Sequence, residues 1–322
     1  MRSLDFEEFL WAIGIDKDVT DMIRNHIHEK TPIDTFISKK IEGYFTLFIS
    51  IGGMPSAIME YLSTGQIGTA IDEKKRIIDG YKADIGRYSP RSDRDKIFRV
   101  FESVPDNLSR ENKKFMFSHI DDGMVKVASN RTYHKAIQWL IDSGIVRRCE
   151  QVDNSRLHFE LFSDGRSFKL YAEDTGLLLA TMDDEVTASI LRGDLRMNNG
   201  AIMENEIAEC LSRCGHDLYY FKNSNMEVDF ITVMGGDVVA IEVKSGNNNR
   251  SKSLNSMKIK YGVKRGIKFE RTDIHVSDDG IEHYPLFAAA FIDSMYDPLN
   301  LSFTLDGVDE INASLNADSH SS

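Results

Sequence analysis

No run of about 20 consecutive apolar residues occurs in this chain, which argues against a simple transmembrane helix. The first residues, Met1-Arg2-Ser3-Leu4-Asp5-Phe6-Glu7-Glu8, are too acidic and too short of apolar length for a signal peptide. A cytoplasmic protein with no membrane partner is the expectation. Cysteine is scarce: only Cys149, Cys210 and Cys214 occur. A helix would bring Cys210 and Cys214 to one face near His216, but a zinc site wants four ligands with recognisable pair spacing, and no second pair exists. Reduced, half-buried thiols are therefore expected. Also absent is a Gly-x-x-x-x-Gly-Lys-Ser/Thr loop, and with it the cradle of backbone amides that holds a triphosphate. Basic charge is in deficit overall. A net charge of −12 argues against coating nucleic acid with the whole surface, though it leaves room for a local basic face.

What is present is an ordinary globular composition, 41% hydrophobic and 28% charged, over 322 residues, enough for two or three domains. Residues 1–90 read as helical. Asp5 or Ser3 can cap a helix through Phe6, Phe9, Leu10 and Ile13, and Pro55 suits the first turn of a helix after Gly52-Gly53-Met54. A further helix is expected from about Ile67 to Tyr88. Residues 91–182 read as a short helix over Asp95–Val104, a turn at Pro105-Asp106-Asn107, a brief strand at 115–117, and an amphipathic helix over Thr132–Ser143 stopped by Gly144. A hairpin of 145–149 with 157–162 then completes the order of a winged helix, with 168–171 following. Residues 183–300 read as an α/β sandwich around a mixed sheet, and 301–322 as a polar, flexible tail.

The pattern richest in chemistry is Val228-Asp229-Phe230-Ile231, followed by Ile241-Glu242-Val243-Lys244. Glu242 and Lys244 share a strand face, being two residues apart. Met234-Gly235-Gly236-Asp237 reads as the turn of a hairpin that carries Asp229 towards both. Asp229 lies in a run that otherwise reads as buried strand, where an unpaired carboxylate is unfavourable. Asp229 and Glu242 are suited to a Mg²⁺ or Mn²⁺ ion, with Lys244 beside it to orient water or stabilise developing charge. Glu204, upstream on a helix, is the third acid, reaching the metal through water or holding Lys244. The same residues also suit a structural Glu–Lys pair with Asp229 capping a turn.

Between residues 250 and 271 stand Arg250, Lys252, Lys258, Lys260, Lys264, Arg265, Lys268 and Arg271, against the single acid Glu270. This stretch reads either as a solvated helix and loop or as a nucleic-acid face beside the carboxylates. Arg131 and Lys135, on the helix of the winged-helix segment, are the other candidate DNA contacts.

Gly200-Ala201-Ile202-Met203-Glu204-Asn205, Ser224-Asn225-Met226-Glu227-Val228-Asp229-Phe230 and Ile241-Glu242-Val243-Lys244-Ser245-Gly246 together resemble the restriction-endonuclease-like domain at the carboxy end of certain prokaryotic AAA-type ATPases, known as domain of unknown function 4143. Phe6-Glu7-Glu8-Phe9-Leu10, Gly52-Gly53-Met54-Pro55 and Tyr133–Val146 are similar to the lid and winged-helix segments of the same proteins. The resemblance implies a helical lid-like segment (1–90), a winged helix (91–182) and a PD-(D/E)XK nuclease-like domain (183–300). It also places Glu204, Asp229, Glu242 and Lys244 at the positions of the nuclease-type motif. The missing phosphate loop departs from the family. The expectation is a relative lacking the ATPase part, without ATP binding of its own, that processes DNA or partners a separate P-loop ATPase subunit. The alternative is a non-catalytic DNA- or partner-binding module.

Overall fold

A computed structural model of the chain describes residues 3–110, 113–120, 130–156, 158–163, 165–193, 199–244 and 251–297. In chain order the elements are α1 (Phe6–Ala12), α2 (Lys17–Glu29), α3 (Thr35–Ile51), α4 (Pro55–Thr64), α5 (Ile67–Tyr88), α6 (Arg94–Ser109), a 3-10 turn (Phe117–His119), α7 (Asn130–Asp142), β1 (Val146–Val152) and a second 3-10 turn (Phe159–Leu161). There follow β2 (Phe168–Ala172), α8 (Thr175–Ala180), α9 (Asp184–Leu191), α10 (Asn199–Arg213), β3 (Tyr219–Lys222), β4 (Glu227–Met234), β5 (Asp237–Val243), α11 (Lys252–Tyr261), β6 (Arg265–Glu270), β7 (His275–Val276), β8 (Ile281–Pro285) and a kinked 3-10 segment (Leu286–Met295). The expected tail at 301–322 lies outside the described residues.

Local chemistry accounts for several of these boundaries. Asp5 accepts from the Glu8 amide at 2.8 Å while Glu8 accepts from the Asp5 amide at 2.9 Å, a capping box that starts α1. Pro55 opens α4, and Gly144 follows α7 at φ 65°. Helix α6 runs through Pro105, where the sequence suggested a turn. Proline removes one backbone donor, but the face of Ile97, Val100, Phe101, Val104 and Leu108 is buried and continuous across it. Among the described residues no single helix is long and apolar enough to cross a membrane.

The strands form one eight-stranded mixed sheet in the order β2-β1-β3-β4-β5-β6-β8-β7. Pairing is antiparallel for β1/β2, β3/β4, β4/β5 and β7/β8, and parallel for β1/β3, β5/β6 and β6/β8. The sheet thus crosses the boundary expected at 182/183. Three local expectations are corrected. The hairpin partner of 146–152 is 168–172, not 157–162: His158 sits at φ 68°, which no strand sustains, and Phe159 turns into a core against Tyr219, ring centroids 5.3 Å apart. Residues 115–117 form no strand, and the Phe115 amide makes an isolated bond to the Phe168 carbonyl at 2.8 Å. Residues 265–270 are an interior strand rather than solvated loop, since β6 lies between β5 and β8.

The sheet separates two cores. On one face Val239, Ile241, Ile267 and Phe269 join Ile202, Ile207 and Leu211 of α10 and the helices of the first ninety residues. On the other, Ile231, Ala240 and Ile281 pack under Leu254 and Met257 of α11. Helix α3 reaches α8 at Gly52-Gly53. A side chain on Gly176 would collide with the Gly52 backbone, and one on Gly53 with the Leu4 carbonyl. The Gly52-Gly53 pair exists for this backbone-to-backbone crossing.

Candidate functional site

The site forms where β4 and β5 separate. Their ladder runs from Met234 opposite Asp237 to Phe230 opposite Ile241. One step further, Asp229 and Glu242 fall opposite each other, and the Asp229 carboxylate takes over the role of a ladder acceptor, receiving the Val243 amide at 2.8 Å. Burial pushes the Asp229 carboxyl up, and the charge of Glu204 adds to the effect, while Lys169, Lys113 and Lys244 pull it back. Glu242 is buried, one oxygen held by Lys244 Nζ at 2.8 Å. Its Oε2 has no hydrogen-bond partner among the described residues. Burial works against the Lys244 charge, but Asp229 and Glu242 together raise its pKa.

Glu204 belongs to the same neighbourhood but not to the same contacts. It lies on α10 and receives Lys169 Nζ at 3.0 Å, the Tyr171 hydroxyl at 2.5 Å and Lys113 Nζ. Burial opposes its ionisation, yet the Lys169 and Lys113 charges win and hold it down to about 2. Lys169 also meets Glu227 at 3.0 Å and lies over the Tyr220 ring at 4.7 Å. Thus Asp229, Glu242 and Lys244 come together, while Glu204 is held by Lys169 and Lys113 rather than by Lys244.

These two lysines and Tyr171 lie outside the motif, and Glu227, though within one of its segments, was not singled out by it. A signal existed for Lys169: a lysine between Phe168 and Leu170 in a buried strand requires an acid. Lys113 carried none.

The basic stretch divides. Arg265 makes a two-bond pair with Glu282 at 2.9 and 2.8 Å, Lys264 meets Asp237 at 2.6 Å, and Arg271 faces Glu42 at 3.6 Å. Lys258 donates to the Asp279 and Gly280 carbonyls at 2.7 and 3.0 Å. Lys268 is fully buried against Glu270 at 2.8 Å, and Glu270 also meets His283 at 2.6 Å. Lys252 and Lys260 are exposed on α11, and Arg131 and Lys135 on α7. Arg250 lies outside the described residues. The thiols of Cys149, Cys210 and Cys214 are free, with Cys210 donating to Glu206 at 3.7 Å.

Among the described residues no group of three or more His, Cys, Asp or Glu side chains is arranged to hold a metal. The Asp229–Glu242 pair, with its orphaned buried oxygen, does suit a hydrated ion such as Mg²⁺, which takes one or two carboxylates and keeps several waters.

Residues 199–287 match the family model described as Domain of unknown function (DUF4143), and residues 43–187 match one described as Domain of unknown function (DUF8612). The chain therefore carries a DUF4143 region, which contains Glu204, Asp229, Glu242 and Lys244. No curated protein and no solved structure matches it.

Proposed function

We propose that the chain is a metal-dependent phosphodiesterase of the nuclease type, acting on DNA in the cytoplasm at Asp229, Glu242 and Lys244. The observation that carries this reading is the Glu242 carboxylate, with one oxygen on Lys244 and the other buried without a partner among the described residues, beside a second carboxylate. A buried acceptor left open in this way is unfavourable unless a ligand completes it. Asp229 and Glu242 would hold Mg²⁺ or Mn²⁺, which when bound neutralises phosphate oxygens and lowers the pKa of water. Lys244 stays charged next to both acids, positioned to orient a water and to offset charge developing on the phosphate. In this reading residues 183–300 form a restriction-endonuclease-like sandwich, with 91–182 as a winged helix on its sheet edge. The exposed Lys252 and Lys260 offer the salt-dependent grip on DNA.

The test is incubation of purified chain with plasmid and single-stranded DNA in Mg²⁺ or Mn²⁺. Cleavage should fall about 100-fold or more in Asp229→Asn and Lys244→Ala. Equal cleavage by the wild type and both variants sinks the assignment.

A second reading, a non-catalytic DNA- or partner-binding module of a split ATPase system, draws on the engagement of Glu204 by Lys169 and Lys113. Calorimetry separates the two, since only the first requires Mn²⁺ binding that depends on Asp229.

A further inference from the structure

Lys169 lies on β2, outside the DUF4143 match, yet its ammonium is enclosed within the candidate site. It is 1% exposed. Its donors reach Glu204 Oε1 and Glu227 Oε1, each at 3.0 Å. The remaining oxygens of those two acids are also taken: Glu204 Oε2 by Lys113, Glu227 Oε2 by Lys222 at 2.6 Å. A buried ammonium is thus fixed between the buried Glu204 and the half-buried Glu227, filling the space between the two carboxylates. Glu242, by contrast, keeps an oxygen open among the described residues. The acids are thus sorted: two closed by lysines from other elements, and the Asp229–Glu242 pair left over.

We propose that Lys169 is a positioning residue of this site, supplied by the upstream region, which keeps Glu204 and Glu227 out of a metal's coordination sphere and leaves Asp229 and Glu242 as the ligand pair. The proposal rests on the metal-dependent reading above. It makes the site composite: a polypeptide spanning only the DUF4143 match would bring the acids without the cation that sorts them.

The experiment is Mn²⁺ binding to the full chain, by calorimetry and by electron paramagnetic resonance, together with cleavage rates. Removing a positive charge from a buried site strengthens its attraction for cations. Lys169→Met should therefore bind Mn²⁺ about tenfold tighter, or take up a further ion, while cleaving about tenfold more slowly. That opposed change in affinity and turnover is one that loss of packing alone does not produce. Glu204→Gln should keep Mn²⁺ affinity within about tenfold of the wild type, against a loss of about 100-fold or more for Asp229→Asn. A folded Lys169→Met with wild-type affinity overturns the proposal, as does a Glu204→Gln that loses binding as completely as Asp229→Asn. Should Lys169→Met fail to fold, Glu204→Gln decides alone. Failure of the wild type to bind Mn²⁺ overturns the metal-dependent reading itself, and the role of Lys169 with it.

Discussion

The buried acids where α3, α8 and α10 meet and those at the β4–β5 fork are finished differently. At the junction of α3, α8 and α10, Asp174 accepts from the Leu177 amide at 2.7 Å and the Gly53 amide at 2.8 Å. Glu209 accepts from Arg213, Ser3 and both donors of Thr175, at 2.9 to 3.2 Å. Both oxygens of each acid are used; the Leu177 and Arg213 bonds are local, while those from Gly53, Ser3 and Thr175 tie separate segments together. At the β4–β5 fork, Glu242 keeps an oxygen without a donor among the described residues. The contrast separates acids whose acceptor capacity is filled from one with capacity to spare among the described residues, since burial alone is common to both.

Protonation divides the acids along another line, with burial raising Asp229 at the fork as it raises the junction acids. Burial, and then the charge of Glu209, push Glu206 up to about 8; burial and the same charge push Asp174 up to about 6. Lys74, buried and donating to the Ser50 carbonyl at 2.6 Å, is brought down by that burial to about 8, with the charge of Asp174 opposing. Glu204 goes the other way, to about 2.

The strongest way to break the comparison is at the junction's backbone. Gly176→Ala would drive a methyl group into the Gly52 main chain, which has no flexible end to yield. A loss of about 3 kcal/mol or more in urea unfolding is expected. A variant as stable as the wild type would show that the junction is loosely packed and its acids unspecific.

Next comes pH. A folded-state pKa raised above the unfolded value gives stability that is full below the unfolded value and lost as pH rises through the folded one. Glu206 should therefore weaken the fold between its ordinary value of 4.5 and about 8. Glu206→Gln should gain about 1–2 kcal/mol at the alkaline end of that window. Glu204, depressed, contributes stability above 4.5 that is lost as pH falls towards about 2. Glu204→Gln should cost about 1–3 kcal/mol at neutral pH, with the difference shrinking in acid. Denaturant titrations across pH read both signs, and two variants with the same sign would contradict the division.

The smallest effect is expected at the fork. Asp229→Asn keeps an acceptor for the Val243 amide while removing a carboxylate whose burial is unfavourable. In metal-free buffer it should be stabilised by about 1 kcal/mol, the exchange of stability for function seen at ligand sites. Mn²⁺ should raise the melting temperature of the wild type and leave that of the variant unchanged.

Much of this was legible in the sequence where contacts are local. The β4–β5 hairpin followed from alternation and from Gly235-Gly236, and the 67–88 helix from its apolar spacing, as α5 shows. The pairing of 146–152 with 168–172 was not legible, because Leu161 and Phe162 are as apolar as the residues of β2 and only the αL backbone of His158 rules them out. Strand β6 was hidden by its own lysine and arginine, whose partners Glu270 and Glu282 neutralise them from the same and the neighbouring strand. Within the candidate site, Asp229, Glu242 and Lys244 announced themselves by spacing. The engagement of Glu204 did not, because Lys113 and Lys169 lie 91 and 35 residues away in sequence.

The parallel seam between β1 and β3, with Gln151 beside Tyr220, joins the β2–β1 pair to the other six strands through main-chain bonds. A chain divided after α9 would leave each piece with an open strand edge whose natural complement is the other piece. Such halves are self-addressed: separated, they are templates for unwanted pairing, and mixed, they carry the information to rebuild one sheet. The seam therefore makes this protein a candidate two-fragment reporter, in which reassembly of the sheet restores the fork where Asp229 and Glu242 meet.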